Sequence, residues 1–212
     1  MTAVKQKLIY FITGASGVGK TTLVSQLETK YQNKPWAFLH FDKIGVTTVE
    51  EMVRDFGSGA KWQEAKTYEW IEKLIQTDCE KVFFEGQVNL QFIRNGFSKH
   101  RFTSYRTVLL DCSEEVMRKR LIMDRSQPEL FTPEMLNWLK FLRDQAREFN
   151  ATIIDTSNLS KEELLQKFQK EIGLQYSLIL RWYAYNKLRA LSLLRLYLNR
   201  SAMRFYDIIA QA

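Results

Sequence analysis

The residues best suited to chemistry form a glycine-rich segment near the start of the chain. It matches the pattern G-x-x-x-x-G-K-[ST] with Gly14, Ala15, Ser16, Gly17, Val18, Gly19, Lys20 and Thr21. Glycines let backbone N–H groups approach phosphate oxygens closely, the lysine neutralises their charge, and the threonine hydroxyl ligates magnesium. The segment therefore predicts a site for ATP with Mg²⁺. We include Thr22, which opens the helix that follows, among the nucleotide contacts.

The elements that must position this segment follow a regular alternation. Five apolar runs rich in β-branched or aromatic residues cover Leu8–Thr13, Trp36–Phe41, Lys81–Glu85, Arg106–Asp111 and Thr152–Asp155. Segments of helical character lie between and after them, at Lys20–Lys30, Val49–Asp55, Trp62–Gln76, Glu114–Asp124, Pro133–Phe149 and Lys161–Ile172. Strands that alternate with helices predict an α/β fold, a three-layer sandwich with a parallel sheet covered on both faces.

The length of the chain favours one such domain with an appendage. The 212 residues are long enough for one well-buried α/β domain and too short for two full-sized ones, and Gly173 is a natural stop after the last core helix. We predict a domain over residues 1–173 and a helical extension over residues 174–212. The extension is rich in leucine, tyrosine and arginine, and its six basic residues stand against one aspartate, so most of the net charge of +7 belongs to it.

An extension so apolar must bury much of its surface. Three destinations are open: its own domain or a second copy of the chain, a protein partner or an anionic membrane surface, and nucleic acid, which is the least favoured. Arginines interrupt it too often for a transmembrane segment. No secretion signal is evident at the start of the chain, and Cys79 and Cys112 lack metal or redox spacing, so we expect a cytoplasmic protein.

Two large classes of phosphate-binding protein do not fit the sequence. GTPases need N-K-x-D and D-x-x-G motifs, whereas Asn186-Lys187-Leu188-Arg189 has arginine at the aspartate position. Helicase and AAA-type motors usually carry an apolar strand that ends in Asp-Glu, a larger chain and later sensor motifs. This chain has none of these.

What remains resembles the small P-loop kinases related to nucleoside-monophosphate, shikimate and gluconate kinases, over about residues 7–173. It is also similar to a group of bacterial AAA-type P-loop ATPases or kinases. That group shares Gln127-Pro128-Glu129-Leu130, then an aromatic-rich helix over Trp138–Phe149, then Asp155-Thr156-Ser157. The resemblance implies a five-stranded parallel sheet of order 2-3-1-4-5, a mobile lid at about residues 118–143, and phosphoryl transfer from Mg-ATP to a small-molecule acceptor.

Three polar residues at the ends of predicted strands are candidates for the acceptor side of the site. Asp42 follows the second strand, and ligands of parallel α/β sheets bind beyond the carboxyl ends of the strands. By resemblance Asp42 orients or deprotonates the acceptor hydroxyl, Glu85 assists magnesium, and Gln87 contacts the acceptor. Asp42 and Glu85 are also explained as helix-capping or strand-end residues.

Several further residues are candidates by the same resemblance. Arg120 and Arg125 look like lid arginines, one stacking on adenine and the other reaching the transferred phosphate, and Asp155 flanks the adenine. Arg54 and Arg143 are candidates for binding the acceptor. Solvated helix faces and local turns account for the same residue types.

His40, within a predicted strand, and His100, within Lys99-His100-Arg101, are better explained by packing and surface exposure than by catalysis. Two other functions remain open. The first is a binding module controlled by ATP, whose C-terminal helix engages a partner, and the second is a kinase acting on nucleic-acid ends.

Overall fold

The structure, a computed structural model, describes residues 7–174 and contains one parallel sheet in that part of the chain. Its strands are β1 (Leu8–Thr13), β2 (Trp36–His40), β3 (Lys81–Glu85), β4 (Tyr105–Asp111) and β5 (Thr152–Asp155). They lie in the order β2-β3-β1-β4-β5, and each neighbouring pair is parallel. The predicted fold class and strand order are confirmed.

Seven α-helices connect the strands or follow them in the described chain. They are α1 (Lys20–Tyr31), α2 (Val49–Phe56), α3 (Gly59–Gln76), α4 (Leu90–Lys99), α5 (Glu114–Lys119), α6 (Pro133–Glu148) and α7 (Lys161–Glu171). A π-helical turn (Arg120–Asp124) extends α5, and 3₁₀ turns occupy Phe41–Ile44 and Pro128–Leu130. Sequence reasoning missed α4, although Asn89 caps it and Leu90, Ile93 and Phe97 bury one of its faces.

The central strands bring the site residues to one edge of the sheet. Strand β1 is almost wholly buried because it lies between β3 and β4. At the carboxyl edge, Glu85 is in register with Ile12 on one side and with His40 on the other. The carboxyl ends of three adjacent strands therefore lie side by side, beside the loop that follows β1.

Strand β2 ends one residue earlier than predicted, because Phe41 begins a 3₁₀ turn. The Phe41 ring is buried and packs against Trp62 and Phe84, and its carbonyl accepts a hydrogen bond from Nε1 of Trp70 at 3.0 Å. A Cβ on Gly86 would lie 2.6 Å from the Cβ of Phe41. The turn that carries Asp42 is thus held tightly against the core.

The chain divides into two compact units, Met1–Leu165 and Gln166–Ala212. All site residues discussed below belong to the first unit. The predicted extension lies outside the described residues except for Leu174, so its helical character and partners stay predictions, as does the boundary at residue 173. Over residues 7–174, no helix is both long and apolar enough to span a membrane.

Candidate active site

The loop after β1 has the backbone shape that its glycines allow. Gly14, Gly17 and Gly19 all have positive φ angles, of 152°, 80° and 101°. A Cβ on Gly14 would stand 2.4 Å from the carbonyl oxygen of Leu110, so no larger residue fits there. Ala15 and Val18 are fully buried and anchor the loop. The loop then enters α1 at its N-terminus, where backbone N–H groups favour anions.

Lys20 is the cation of this loop, and its ammonium lies among several charges. Its Nζ donates a hydrogen bond to the Ala15 carbonyl at 2.9 Å. Burial lowers the pKa of Lys20 from 10.5 to about 8, while the carboxylates of Glu85 and Asp42 oppose that shift and Arg125 adds to it. Glu85, Asp42 and Arg125 are therefore all close enough to interact with the lysine. The ammonium of Lys20 is therefore incompletely solvated in the free protein. A cation in this state gains from the approach of a phosphate.

Thr21 and Glu85 meet at the position where a phosphate loop holds its metal. The Thr21 hydroxyl donates to Oε1 of Glu85 at 3.0 Å, and Nδ1 of His40 lies 2.8 Å from the same oxygen. The cost of placing a carboxylate at the end of an apolar strand is thus offset by two hydrogen-bonding partners. One of these partners is His40, which the sequence indicated only as a packing residue.

These residues fit magnesium. Mg²⁺ prefers oxygen ligands, retains several waters, and is usually held by one or two carboxylates together with substrate phosphates. Because the Thr21 hydroxyl donates its hydrogen bond to Glu85, its oxygen keeps a lone pair for the cation. Residues 7–174 gather no cluster of three or more histidine, cysteine, aspartate or glutamate side chains. A metal here would accordingly share its coordination with nucleotide and water.

A cavity of about 950 Å³ opens beside the loop, large enough for a nucleotide. Its lining comes from the loop and α1, the turn after α5, and the start of α7. The residues are Gly17 to Thr22, Ser25, Gln26, Thr29, Lys30, Arg120, Asp124, Arg125, Leu159, Ser160, Lys161, Leu164 and Leu165. The predicted nucleotide residues Gly17 to Thr22 and both lid arginines thus border one cavity.

The two lid arginines have different surroundings. Arg120 donates from Nη1 to Oγ1 of Thr156 at 2.9 Å and to the Gly17 carbonyl at 3.3 Å, and from Nη2 to the Thr156 carbonyl at 2.7 Å. Arg125 is exposed at the rim of the cavity and interacts electrostatically with Lys20. Arg120 therefore braces the phosphate loop, whereas Arg125 borders the cavity with its side chain exposed.

Three other predicted residues make local contacts outside the cavity. Arg143 donates to Oδ2 of Asp111 at 2.7 Å and to the Cys112 carbonyl at 2.6 Å, and that carboxylate raises its pKa. Arg54 is exposed on α2 and pairs with the adjacent Asp55. Asp155 accepts from the backbone N–H and hydroxyl of Ser157, as in an Asx turn.

Gln87 links the acceptor side to the phosphate loop. Its Oε1 accepts a hydrogen bond from the Ser16 hydroxyl at 3.0 Å, and its Nε2 lies 3.8 Å from the sulfur of Met135 on α6. Gln63 holds the segment in place, because its amide donates to the Gln87 carbonyl and accepts from the backbone of Asn89. The contact with Ser16 joins Gln87 to the phosphate loop. Its predicted contact with the acceptor stays a prediction.

Sequence reasoning missed three residues that organise the site, namely His40, Gln63 and Thr156. For His40 the sequence signal was its place near the end of the predicted second strand, two residues before Asp42. Its register with Glu85 appears only in the structure. Thr156 lies in the shared motif Asp155-Thr156-Ser157, which does not by itself indicate a contact with the phosphate loop. Gln63 gave no signal, because its partners are distant in sequence.

A family model described as AAA domain matches residues 3–160 of the chain. The chain belongs to the AAA domain family. This agrees with the similarity to AAA-type P-loop proteins inferred from the sequence motifs. Its third strand nevertheless ends in Glu85-Gly86 and not in the Asp-Glu pair usual in the motors. None of the curated proteins compared with the chain matches its sequence.

Solved structures share the fold of this AAA domain chain. Shikimate kinase from Acinetobacter baumannii in complex with shikimate has a TM-score of 0.56 at 18% identity, covering 82% of this chain and 97% of that one. A gluconokinase from Sinorhizobium meliloti 1021 has a TM-score of 0.56 at 15% identity, covering 81% and 98%. Thymidylate kinase from Candida albicans has a TM-score of 0.52 at 13% identity, covering 81% and 93%. The fold is that of the small P-loop kinases, as predicted.

Proposed function

We propose that this protein transfers a phosphoryl group from Mg-ATP to a hydroxyl group of a small-molecule acceptor. The nucleotide supplies the phosphoryl group, and magnesium neutralises the charge that develops on its oxygens during transfer. Lys20, Thr21 and Glu85 bind this part of the substrate, and the family and fold support such a role for them.

The observation that carries the proposal is the position of Asp42. This carboxylate follows β2 on a 3₁₀ turn and lies close enough to Lys20 to affect the pKa of its ammonium. A module that only binds nucleotide needs the lysine, the hydroxyl and one acid for the metal, all of which are present without Asp42. A second, exposed carboxylate within electrostatic range of Lys20 suits a phosphoryl acceptor, because the acceptor hydroxyl must be oriented and relieved of a proton.

We assign the remaining roles by the contacts of each side chain. Arg125 stabilises charge on the transferred group, because it is exposed at the cavity rim and near Lys20. Gln87 contacts the acceptor from the segment that also touches Ser16. Arg54 and Arg143 we assign to the fold and not to the acceptor, since their guanidinium groups are engaged by Asp55 and Asp111.

The test is an acceptor screen with ATP labelled on its γ-phosphate. The panel covers nucleosides, nucleotides, sugar acids, aminoglycoside-like compounds and phenolic compounds. For any acceptor found, Asp42→Asn is expected to lower turnover by about 10²- to 10⁴-fold with nucleotide affinity unchanged, as for loss of a general base. Asp78→Asn is the matched control, since Asp78 is exposed and precedes β3, at the opposite edge of the sheet.

Lys20→Ala is expected to remove both binding and transfer. Full turnover in Asp42→Asn would overturn the role of Asp42, and ATP binding without transfer to any acceptor would favour the binding module controlled by ATP. Oligonucleotide phosphorylation that falls steeply with added salt would favour the kinase of nucleic-acid ends.

We further propose a cytoplasmic location, which the free thiols of Cys79 and Cys112 support. We also propose that residues 174–212 engage a second copy of the chain or a protein partner.

A further inference from the structure

One oxygen of Glu85 accepts hydrogen bonds from two different elements. The Thr21 hydroxyl at the start of α1 lies 3.0 Å from Oε1, and Nδ1 of His40 at the end of β2 lies 2.8 Å from it. An ionised carboxylate only accepts hydrogen bonds, so Nδ1 must carry the proton and donate it. The contact therefore determines which imidazole nitrogen is protonated.

The two bonds leave the other carboxylate oxygen available. Within residues 7–174, the hydrogen bonds to the Glu85 carboxylate all end on Oε1, so Oε2 has no protein partner there. The Glu85 side chain is only 8% exposed, which restricts where Oε2 can turn. Lys20 attracts the same carboxylate through its charge. Among residues 7–174, His40 is the hydrogen-bonding partner of this carboxylate on β2, so its imidazole opposes a rotation of Glu85 toward the lysine.

His40 is itself rigidly placed. It is the last residue of β2 and is in register with Glu85 on the neighbouring strand, and the buried Phe41 follows it. Its side chain is 18% exposed. A donor held by the sheet orients its partner more accurately than one on a flexible loop.

We propose that His40 is a positioning residue for magnesium, and that it holds Glu85 in the orientation in which Thr21 and Glu85 together receive the cation. The inference rests on the proposed function, because it assumes that a nucleotide with magnesium binds here. Carboxylates that serve a metal directly or through water are themselves held by hydrogen bonds from neighbouring residues, and loss of such a partner costs about 10- to 100-fold in metal affinity.

Three substitutions of His40 differ in where they place a hydrogen-bond donor. Asparagine carries its amide nitrogen on Cγ, as histidine carries Nδ1, so His40→Asn keeps the donor near its place. His40→Gln moves the donor one atom further out, and His40→Ala removes it. His100→Ala is the matched control, because His100 is exposed and lies at the end of α4.

The experiment measures nucleotide affinity with fluorescent ADP, once with excess magnesium and once with a chelator. The readout is the ratio of the two affinities, which isolates the contribution of the metal and needs no acceptor. We expect His40→Ala to reduce this ratio by about tenfold or more while the affinity for metal-free ADP stays unchanged. His40→Asn should retain most of the ratio, and His100→Ala should retain all of it.

Two results would overturn the inference: an undiminished magnesium ratio in His40→Ala, or equal ratios in His40→Asn and His40→Gln. The comparison of His40→Asn with His40→Gln tests the inference even where His40→Ala does not fold. Magnesium-dependent ADP binding without phosphoryl transfer to any acceptor would refute the proposed function and leave the role of His40 standing. No nucleotide binding by the unaltered protein would refute both.

Discussion

Arg120 and Thr156 are joined by two hydrogen bonds, from Nη1 to the hydroxyl at 2.9 Å and from Nη2 to the carbonyl at 2.7 Å. The Thr156 hydroxyl also lies 3.0 Å from the carbonyl oxygens of Val18 and Asp111. A single buried side chain thus connects the phosphate loop, the end of β4 and the turn after α5. The shape of the loop depends on a residue more than a hundred positions away.

The first prediction concerns this connection. Thr156→Val keeps the volume but removes the hydroxyl, so a guanidinium N–H and a buried carbonyl lose their partner. We expect the free energy of unfolding to fall by about 1 to 3 kcal/mol, and nucleotide affinity to fall with it. Denaturant unfolding and fluorescent ADP titration measure these effects. Thr103→Val, at an exposed position before β4, should change neither; equal stability of the two variants would contradict the prediction.

The second prediction separates stability from binding at Lys20. Because burial disfavours its ammonium and lowers its pKa to about 8, removing the charge relieves a cost of the folded state at pH 7. Lys20→Met is therefore expected to lose nucleotide binding while its melting temperature without nucleotide stays equal or rises. Lys61→Met, on the exposed start of α3, is the control and should bind normally. A large drop in melting temperature for Lys20→Met would refute this account.

The third prediction is a pH dependence of nucleotide affinity. The pKa of Lys20 in the free protein is about 8, and bound phosphates raise it because they favour the ammonium form. Affinity should therefore be full below pH 8 and decrease as the pH rises above that value, with a proton taken up on binding. Calorimetry at pH 8.5 in two buffers of different ionisation enthalpy detects that uptake. The prediction fails if no proton is taken up, or if Lys20→Arg shows the same uptake.

The fourth prediction compares two glycines. A Cβ on Gly86 would lie 2.6 Å from the Cβ of Phe41, and neither backbone can move without disturbing Asp42 or Glu85. Gly86→Ala is expected to cost about 1 to 3 kcal/mol of stability, as overpacking does. At Gly59 the nearest atom to a new Cβ is the sulfur of Met52 at 3.8 Å, so Gly59→Ala should be neutral or stabilise α3. Thermal unfolding of both variants tests the difference.

The fifth prediction concerns Arg143 and Asp111, whose side chains are 25% and 14% exposed. Because the pair is neither buried nor fully solvated, we expect Arg143→Ala to cost about 1 to 2 kcal/mol, between the values for surface and buried pairs. A double-mutant cycle with Asp111→Asn should show coupling of the two residues. Nucleotide affinity should be unchanged. A loss of acceptor binding with normal stability would instead restore Arg143 to the acceptor site.

Much of this protein follows from local sequence patterns. Five apolar runs and the glycine pattern predicted the strands and the phosphate loop, because buried parallel strands and left-handed turns demand particular residue types wherever they occur. The strand order came from resemblance to known kinases. One helix, α4, was missed because it is only 10 residues long and contains Gly96, a residue that weakens a helical pattern.

The tertiary structure alone decided what each polar residue does. Arg120, Arg125 and Arg143 are indistinguishable as residue types, yet one braces the loop, one borders the cavity and one pairs with Asp111. His40 lies within a strand-like run of residues, which indicates only packing. Its contact with Glu85 depends on β3 lying beside β2. Hydrogen bonds join atoms within about 3 Å of one another. Such distances depend on how separate elements pack against one another. The spacing of residues along the chain does not contain that information.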